Sequence, residues 1–422
     1  MNRIILAAIL VLCVSCGQAS GKPAAAVVSP SASPRASASA EPSAEPSATP
    51  TALSSPGAKP SPIPTPKTSP TLLFAVLEAK GTANAWTYNT VAIAGVDGYA
   101  RAKTTFVPIT SPTIGCFGTV TPPSAHVAAG KVYFADNKGV IRSLAINGTV
   151  AVAATFPLTS TQQMLSFAVS PDGTKLLGTI FTLPANISAC NGAWSGTFTF
   201  DAYSATSGGS SQLVYHDSWT KSQNVLALTG WDSIGPIGTY PTVWASQGGG
   251  PGSTLGTFVR IDPTTLKVVS TFGDPASCQV WDSVPSGAYV CMLAGKPTST
   301  DPYGPIAQPV SIRQAGGSEE WHFTVTSVNG AWAPDLAPDE QHVVICCNFD
   351  TSSVWLVDRQ GTQTLFKTGF YASGWLDATT VFGYSGQTES APTGTLAYVA
   401  LNSPGTYVSM GFSGRVVGTV RN

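Results

Sequence analysis

The sequence predicts an all-β fold, a seven-bladed β-propeller closed by its C-terminal strand, and three observations carry that expectation. Four tryptophans, Trp231, Trp281, Trp332 and Trp375, open the stretches Gly-Trp-Asp-Ser, Val-Trp-Asp-Ser, Ala-Trp-Ala-Pro-Asp and Gly-Trp-Leu-Asp, at intervals of roughly fifty residues. Each stretch precedes two or three short runs rich in β-branched and aromatic residues, the composition of strands rather than helices. The two ends of the β-rich region are also complementary. Three strands begin it with no inner strand before them, and one strand-like run, Arg415–Val420, is left over at its end.

Taken in chain order, the first segment stands apart. Met1–Ser15 carries Arg3, then the apolar run Ile4–Val14, too short to span a bilayer and of the length of a secretory h-region. Leu12-Cys13-Val14-Ser15-Cys16-Gly17 resembles a bacterial lipoprotein signal. The resemblance implies cleavage before Cys16, lipidation of Cys16, and a membrane-anchored protein on the extracytoplasmic side of a bacterial cell. Residues 1–15 are then the signal, with a plain secretory peptide as the alternative.

Residues 16–70 change to proline, serine, alanine and threonine, as in Glu41-Pro42-Ser43-Ala44-Glu45-Pro46. Such a stretch buries too little apolar surface to offset its ordering entropy, so it reads as a disordered stalk. Fully extended at about 3.1 Å per residue it reaches on the order of 160 Å.

Residues 71–422 form the propeller, each blade being a four-stranded meander with its first strand at the central channel. The first blade takes Leu72–Leu77, Trp86–Ile93 and Ala100–Val107, completed by Arg415–Val420. Such closure removes exposed sheet edges. Blade two begins near Ala125–Val127 and continues through Val132–Ala135 and Gly139–Ala145; blade three begins near Leu165–Val169, with Phe167 in the tryptophan's place. Blade four takes Val225–Trp231, Pro241–Ala245, Thr257–Ile261 and Lys267–Phe272. Blade five takes Cys278–Asp282, Ala288–Leu293, Pro309–Arg313 and Glu319–Val325. Blade six takes Gly330–Ala333, His342–Cys347, Ser353–Asp358 and Thr362–Lys367, and blade seven Ala372–Leu376, Thr380–Tyr384, Thr395–Leu401 and Tyr407–Phe412. Six or eight blades also fit, because the interval from Phe167 to Trp231 is long. The four tryptophans are expected to wedge between neighbouring blades.

Ser170-Pro171-Asp172-Gly173-Thr174-Lys175-Leu176-Leu177 resembles the Pro-Asp-Gly turn of TolB-like propeller repeats, and Ala337-Pro338-Asp339-Glu340-Gln341-His342 is a weaker copy. In that family the turn joins the first two strands of a blade, and Trp355-Leu356-Val357-Asp358 is similar to its third strand. The resemblance implies a fold and brings no catalytic residues. Asp172 and Asp339 read as turn-formers that bond their own backbone.

Meander geometry gathers the second-to-third-strand and blade-to-blade connections at one end. The longer insertions fall there: Thr110–Ser124, Leu183–Ala193, His216–Asn224, Ser246–Thr254, Ala294–Gln308 and Ser385–Pro392, with Ser233–Tyr240 the exception on the other end. Loops longer than a hairpin needs tend to carry function. The candidate ligand-binding residues at that end are Trp194, His216, Asp217, Trp219, Asp301 and Tyr303.

Cysteine use in an exported chain favours disulfides. With Cys13 and Cys16 set aside, Cys116 and Cys190 fall in loops of neighbouring blades, while Cys278 and Cys291 fall on adjacent strands of blade five. A turn at Pro285-Ser286 places Cys291 opposite Val280, so Cys278 and Cys291 are diagonal neighbours that need a small bulge to bond. Cys346 and Cys347 are adjacent in a strand and point to opposite faces, which leaves their pairing open.

Charged residues make up 10% of the chain and the net charge is −1, which leaves no electrostatic footprint for nucleic acid. No nucleophile elbow, Walker loop or dinucleotide fingerprint is present, and the histidines, His126, His216, His322 and His342, lack metal-ligand spacing. No catalytic residue, metal or cofactor is assigned. The sequence reading is an anchored propeller that binds an envelope protein, peptide or glycan through its loop-rich end; a lactonase-, lyase- or glycan-hydrolase-like enzyme with a site at the channel mouth is the alternative.

Overall fold

Alternate residues of single strands in this protein enter different hydrophobic clusters, and that one fact explains both the sequence pattern and the architecture. Leu73, Ala75 and Leu77 pack with Val132, Phe134 and Leu144, whereas Phe74 and Val76 pack with Leu376, Tyr384 and Leu396. A sheet buried on both faces needs apolar residues at every position, so its strands read as continuous apolar runs. The computed structural model describes residues 72–80, 87–110, 125–184, 197–220, 226–240, 257–273, 278–293, 295–300, 304–327, 333–348, 353–385 and 395–421. The expected signal, Cys16 and stalk lie outside them, as do Cys116, Cys190, Trp194, Asp301, Tyr303 and Trp332.

Among the described residues there are seven antiparallel sheets and no helix. Blade one orders Gly414–Val420, Leu73–Lys80, Thr87–Gly95 and Ala100–Thr105 from first strand to fourth. Blade two orders Ala125–Ala128, Lys131–Ala135, Val140–Ala145 and Val150–Thr155; blade three Gln163–Val169, Lys175–Thr182, Phe198–Thr206 and Gln212–Trp219. Blade four orders Ala227–Trp231, Pro236–Tyr240, Thr257–Ile261 and Val268–Phe272. Blade five orders Gln279–Ser283, Tyr289–Met292, Ile306–Arg313 and Glu319–Ser327, with Lys296–Pro297 pairing along the third strand. Blade six orders Pro334–Leu336, His342–Asn348, Ser353–Asp358 and Gln363–Lys367; blade seven Phe370–Asp377, Thr380–Ser385, Thr395–Ala400 and Val408–Ser409.

The C-terminal run joins the first blade, as the sequence predicts. Val420 pairs with Leu73, Thr419 with Phe74 and Gly414 with Glu78, with a bulge between Ala75 and Val76. Gly414 sits at φ +142°, and a Cβ there would meet the Leu77 carbonyl oxygen at 2.0 Å, so only glycine lets this strand close in.

Among the described residues, seven hydrophobic clusters hold the ring, each drawn from two adjacent blades. A fully buried phenylalanine such as Phe74 or Phe370 contributes about 1.5–3 kcal/mol, against roughly 0–1 kcal/mol for a partly exposed surface pair such as Lys103–Glu78. The seams between blades, not the surface ion pairs, therefore hold the fold. Trp231, Trp281 and Trp375 each stand on a first strand and pack against a seam cluster, three–four, five–six and six–seven respectively.

Three expected elements shift. The second strand of blade four is Pro236–Tyr240 rather than Pro241–Ala245, because Asp232 Oδ1 accepts the Ile234 and Gly235 N–H groups at 2.8 and 2.9 Å and turns the chain at once. The expected loop Ser233–Tyr240 is thus mostly strand. The outer strand of blade three runs on to Trp219 and absorbs the start of the expected loop His216–Asn224. The first strand of blade six is Pro334–Leu336, beyond the expected Gly330–Ala333; proline is tolerated there because it is the first residue of the strand.

Candidate functional site

The described strand ends divide the propeller's connections between its two ends. Turns between first and second strands, and between third and fourth, are short; the longest is 401–407. At the opposite end lie the connections 106–124, 183–197, 241–256 and 386–394. One insertion at that end is described in part and is built structure. Lys296 pairs with Ala307 and Pro297 with Ile306, while Ile306 pairs on its other side with Ser327. Thr298 N–H and Oγ1–H both donate to the Pro305 carbonyl, at 2.9 and 2.7 Å. Blade five thus extends a three-stranded ribbon at the loop-rich end, with exposed residues 296–300 along it.

His216, Asp217 and Trp219 lie on the outer strand of blade three, not on a loop. His216 and Asp217 do not face each other. His216 Nδ1 is 2.6 Å from Asp201 Oδ1, its partner on the neighbouring strand, whereas Asp217 accepts from Tyr215 Oη–H and the Ser218 N–H. Successive side chains of a strand point to opposite faces, which accounts for the split. Trp219 stacks on Phe181 at 6.3 Å and packs on the seam between blades three and four. These residues do not form one cluster.

The structure does bring together residues that the sequence reading quoted without a role: the aspartates that follow the inner-strand tryptophans. Asp232 is buried, and its Oδ2 accepts from Arg260 Nε at 2.6 Å. Arg260, also buried, reaches into blade five through the Gly287 and Ala315 carbonyls at 3.0 and 3.1 Å and lies over the Phe272 ring. Asp377 caps its own turn by accepting the Thr379 N–H and hydroxyl.

Asp282 and Asp335 occupy the first strands of blades five and six. Asp282 Oδ2 accepts the Leu336 N–H at 2.9 Å. Each residue keeps some accessible surface, yet protein closes round both carboxyl groups. Burial is the largest influence on Asp282 and pushes it up to about 6, against the opposing Leu336 and Ser283 N–H groups. Asp335 is pushed well above the carboxylate range, first by burial and then by the charge of Asp282. An aspartate one to three residues after each tryptophan was the available signal; which partners each one meets was not readable from spacing.

His126, on the first strand of blade two, lies edge-on to Phe167 at 4.7 Å, and its Nε2 has no partner among the described residues. Burial pushes its imidazole down to about 4, opposed by a hydrogen bond to the Phe167 backbone. Asp172 forms the expected turn: it accepts from the Ser170 hydroxyl at 2.5 Å and the Thr174 N–H at 3.0 Å, which hold it down to about 2. Cys278 and Cys291 are bonded, with Cα atoms 5.1 Å apart; Cys291 stands opposite Val280, and a bulge follows between Val280 and Asp282. Cys346 is disulfide-bonded as well. Among the described residues no three His, Cys, Asp or Glu side chains converge as metal ligands would.

No protein-family model matches the chain, and no curated protein does. Similar solved structures include an oligogalacturonate lyase in complex with manganese, 10% identical, covering 77% of this chain and 89% of that one with a TM-score of 0.45. An oligogalacturonate lyase from Vibrio parahaemolyticus is 11% identical over 75% and 89%, with a TM-score of 0.43. BamB from Moraxella catarrhalis is 9% identical over 69% and 87%, with a TM-score of 0.34. At this level of likeness none of them carries an argument about what this chain binds or does.

Proposed function

We propose that the chain is a lipid-anchored, extracytoplasmic β-propeller of the TolB-like kind that binds a protein, peptide or glycan partner across its loop-rich end. The observation that carries this reading is the uneven placement of connections. Insertions collect at one end of a rigid ring, and the partly described one is a three-stranded ribbon rather than a bare excursion. Loops presented by a rigid scaffold are where binding residues concentrate. A propeller enzyme would place converging acids at that same mouth, but Asp282 and Asp335 lie toward the tight-turn end of their strands, which supports binding over catalysis.

In the anchor reading, diacylation of Cys16 supplies the two acyl chains that stable membrane attachment requires, and residues 16–70 hold the propeller off the bilayer. Two arms on the full-length protein in bacterial cells test the proposal. Radiolabelled palmitate enters the wild type and not Cys16→Ser. A photo-crosslinking residue at the exposed Thr300 of the ribbon captures a defined partner, whereas one at the exposed Asn147 of the tight-turn end does not. Equal capture from both positions, or from neither, overturns the binding reading; label retained in Cys16→Ser overturns the anchor.

A further inference from the structure

Every described arginine from Arg101 to Arg359 is matched. Arg101, Arg142, Arg260 and Arg359 each pair with a carboxylate, and Arg313 donates to the Gly317 carbonyl. Arg415 has neither kind of partner among the described residues. It is exposed, and its guanidinium lies over the Tyr88 ring, 4.8 Å from the centroid. A guanidinium that stacks through its face keeps its in-plane N–H donors open for a two-pronged carboxylate contact. Arg415 stands at the loop-rich start of the first strand of blade one, and the backbone it projects from is held from two sides. Ala79 N–H donates to the Ser413 carbonyl at 3.0 Å, and the Tyr384 hydroxyl donates to the Gly414 carbonyl at 2.9 Å. Arg415 pairs with Leu77 and shares its face, whereas Glu78, opposite Gly414, turns to the other face. There Glu78 accepts from Lys103 Nζ at 2.7 Å, so its charge is already met. Lys80, at the same end of the adjoining strand, is exposed and has no carboxylate partner among the described residues.

We propose that Arg415 is an anchor for an acidic peptide segment of the partner, gripping one carboxylate through its open N–H edge while Lys80 adds positive charge beside it. The proposal rests on the reading of the loop-rich end as the binding face and names the ligand chemistry there. In a chain of net charge −1, two cations left unmatched at one mouth select for a negative ligand. The Tyr88 ring is covered by the guanidinium, so the site offers charge and directed donors rather than a bare aromatic face for a sugar ring to stack on. That favours a peptide carboxylate over a glycan. Because the backbone at Gly414 is already fixed, only the Arg415 side chain has to be ordered on binding.

Fluorescence anisotropy of a labelled hexaglutamate peptide against the full chain tests the anchor. The wild type is expected to bind it, and more weakly as salt is raised, because the contact is an exposed charge pair. Arg415→Gln should weaken binding by at least about fivefold. Arg415→Lys, which keeps the charge and loses the fork, should fall between the two. Lys175→Gln, an exposed cation at the tight-turn end, should bind as the wild type does. No binding to the wild type, equal binding by Arg415→Gln, or tighter binding of an alginate hexamer than of the peptide overturns the anchor. Crosslinking at Thr300 separates this outcome from the parent reading: a partner still captured there while Arg415→Gln binds the peptide normally leaves the binding face standing and removes Arg415 from it.

Discussion

Val420 and Leu73, which stand near the two limits of the described chain, are directly paired neighbours in one sheet. The pairing places the C-terminal strand at the inner edge of blade one, between the channel and Leu73–Lys80, and the same strand lies against Ala125–Ala128 of blade two and Phe370–Asp377 of blade seven. Closure thus rests on backbone pairing within one blade and on apolar packing against both neighbours. Tyr384 of blade seven adds a hydrogen bond from its hydroxyl to the Gly414 carbonyl at 2.9 Å.

Gly414→Ala forces a Cβ to within 2.0 Å of the Leu77 carbonyl oxygen in a backbone conformation that disfavours side chains. A loss of about 1–3 kcal/mol is expected from the strain, read as a lower urea midpoint. An unchanged midpoint would contradict the close approach.

Arg260→Met should be among the most damaging single substitutions, because it strands Asp232 in a buried site. Breaking such a pair from one side costs about 3–5 kcal/mol. The double variant Asp232→Leu, Arg260→Met removes both charges and should recover part of that loss. A urea-unfolding double-mutant cycle measures the coupling.

His126 gives the propeller an acid-labile seam between blades two and three. Its imidazole titrates near 4 in the fold, below the unfolded value of 6.5, so the unfolded state binds the proton first. Stability from this group is present above pH 6.5 and is lost as pH falls through 4. The expected loss is on the order of 3 kcal/mol. His126→Phe, which keeps an aromatic contact with Phe167, should abolish this component when urea stability at pH 7 and pH 4.5 is compared with that of the wild type.

The Cys278–Cys291 bond closes a short loop, with a sequence separation of 13, at the seam between blades four and five. Replacing both cysteines by serine should lower stability by about 2–4 kcal/mol. Peptide mapping without reductant should recover the two cysteines in one linked fragment.

How much of this was legible in the sequence varied with local physics. Strands such as Ser353–Asp358 and Thr257–Ile261 stood out because apolar residues on both faces are bounded by turn residues. The alignment of Cys291 with Val280 followed from the turn at Pro285-Ser286, since a short hairpin fixes its own register. The outer strand Gln212–Trp219 was partly read as loop because most of it faces solvent and shows no apolar alternation. Pro236–Tyr240 was missed because a capped turn moved the strand forward, and one aspartate cap carries little sequence signal. The Arg260–Asp232 pair and the Asp282–Leu336 contact join residues 28 and 54 positions apart. Only the assembled ring sets those distances.

Closure of the ring by the C-terminal strand is tested most directly by hydrogen–deuterium exchange on the full chain and on a chain ending at Ser413. With the strand present, the amides of Leu73–Leu77 and Gly414–Val420 should be protected together. Without it, Leu73–Leu77 should lose protection by orders of magnitude while Ser353–Asp358 of blade six loses less. Equal protection of Leu73–Leu77 in both chains would contradict the closure.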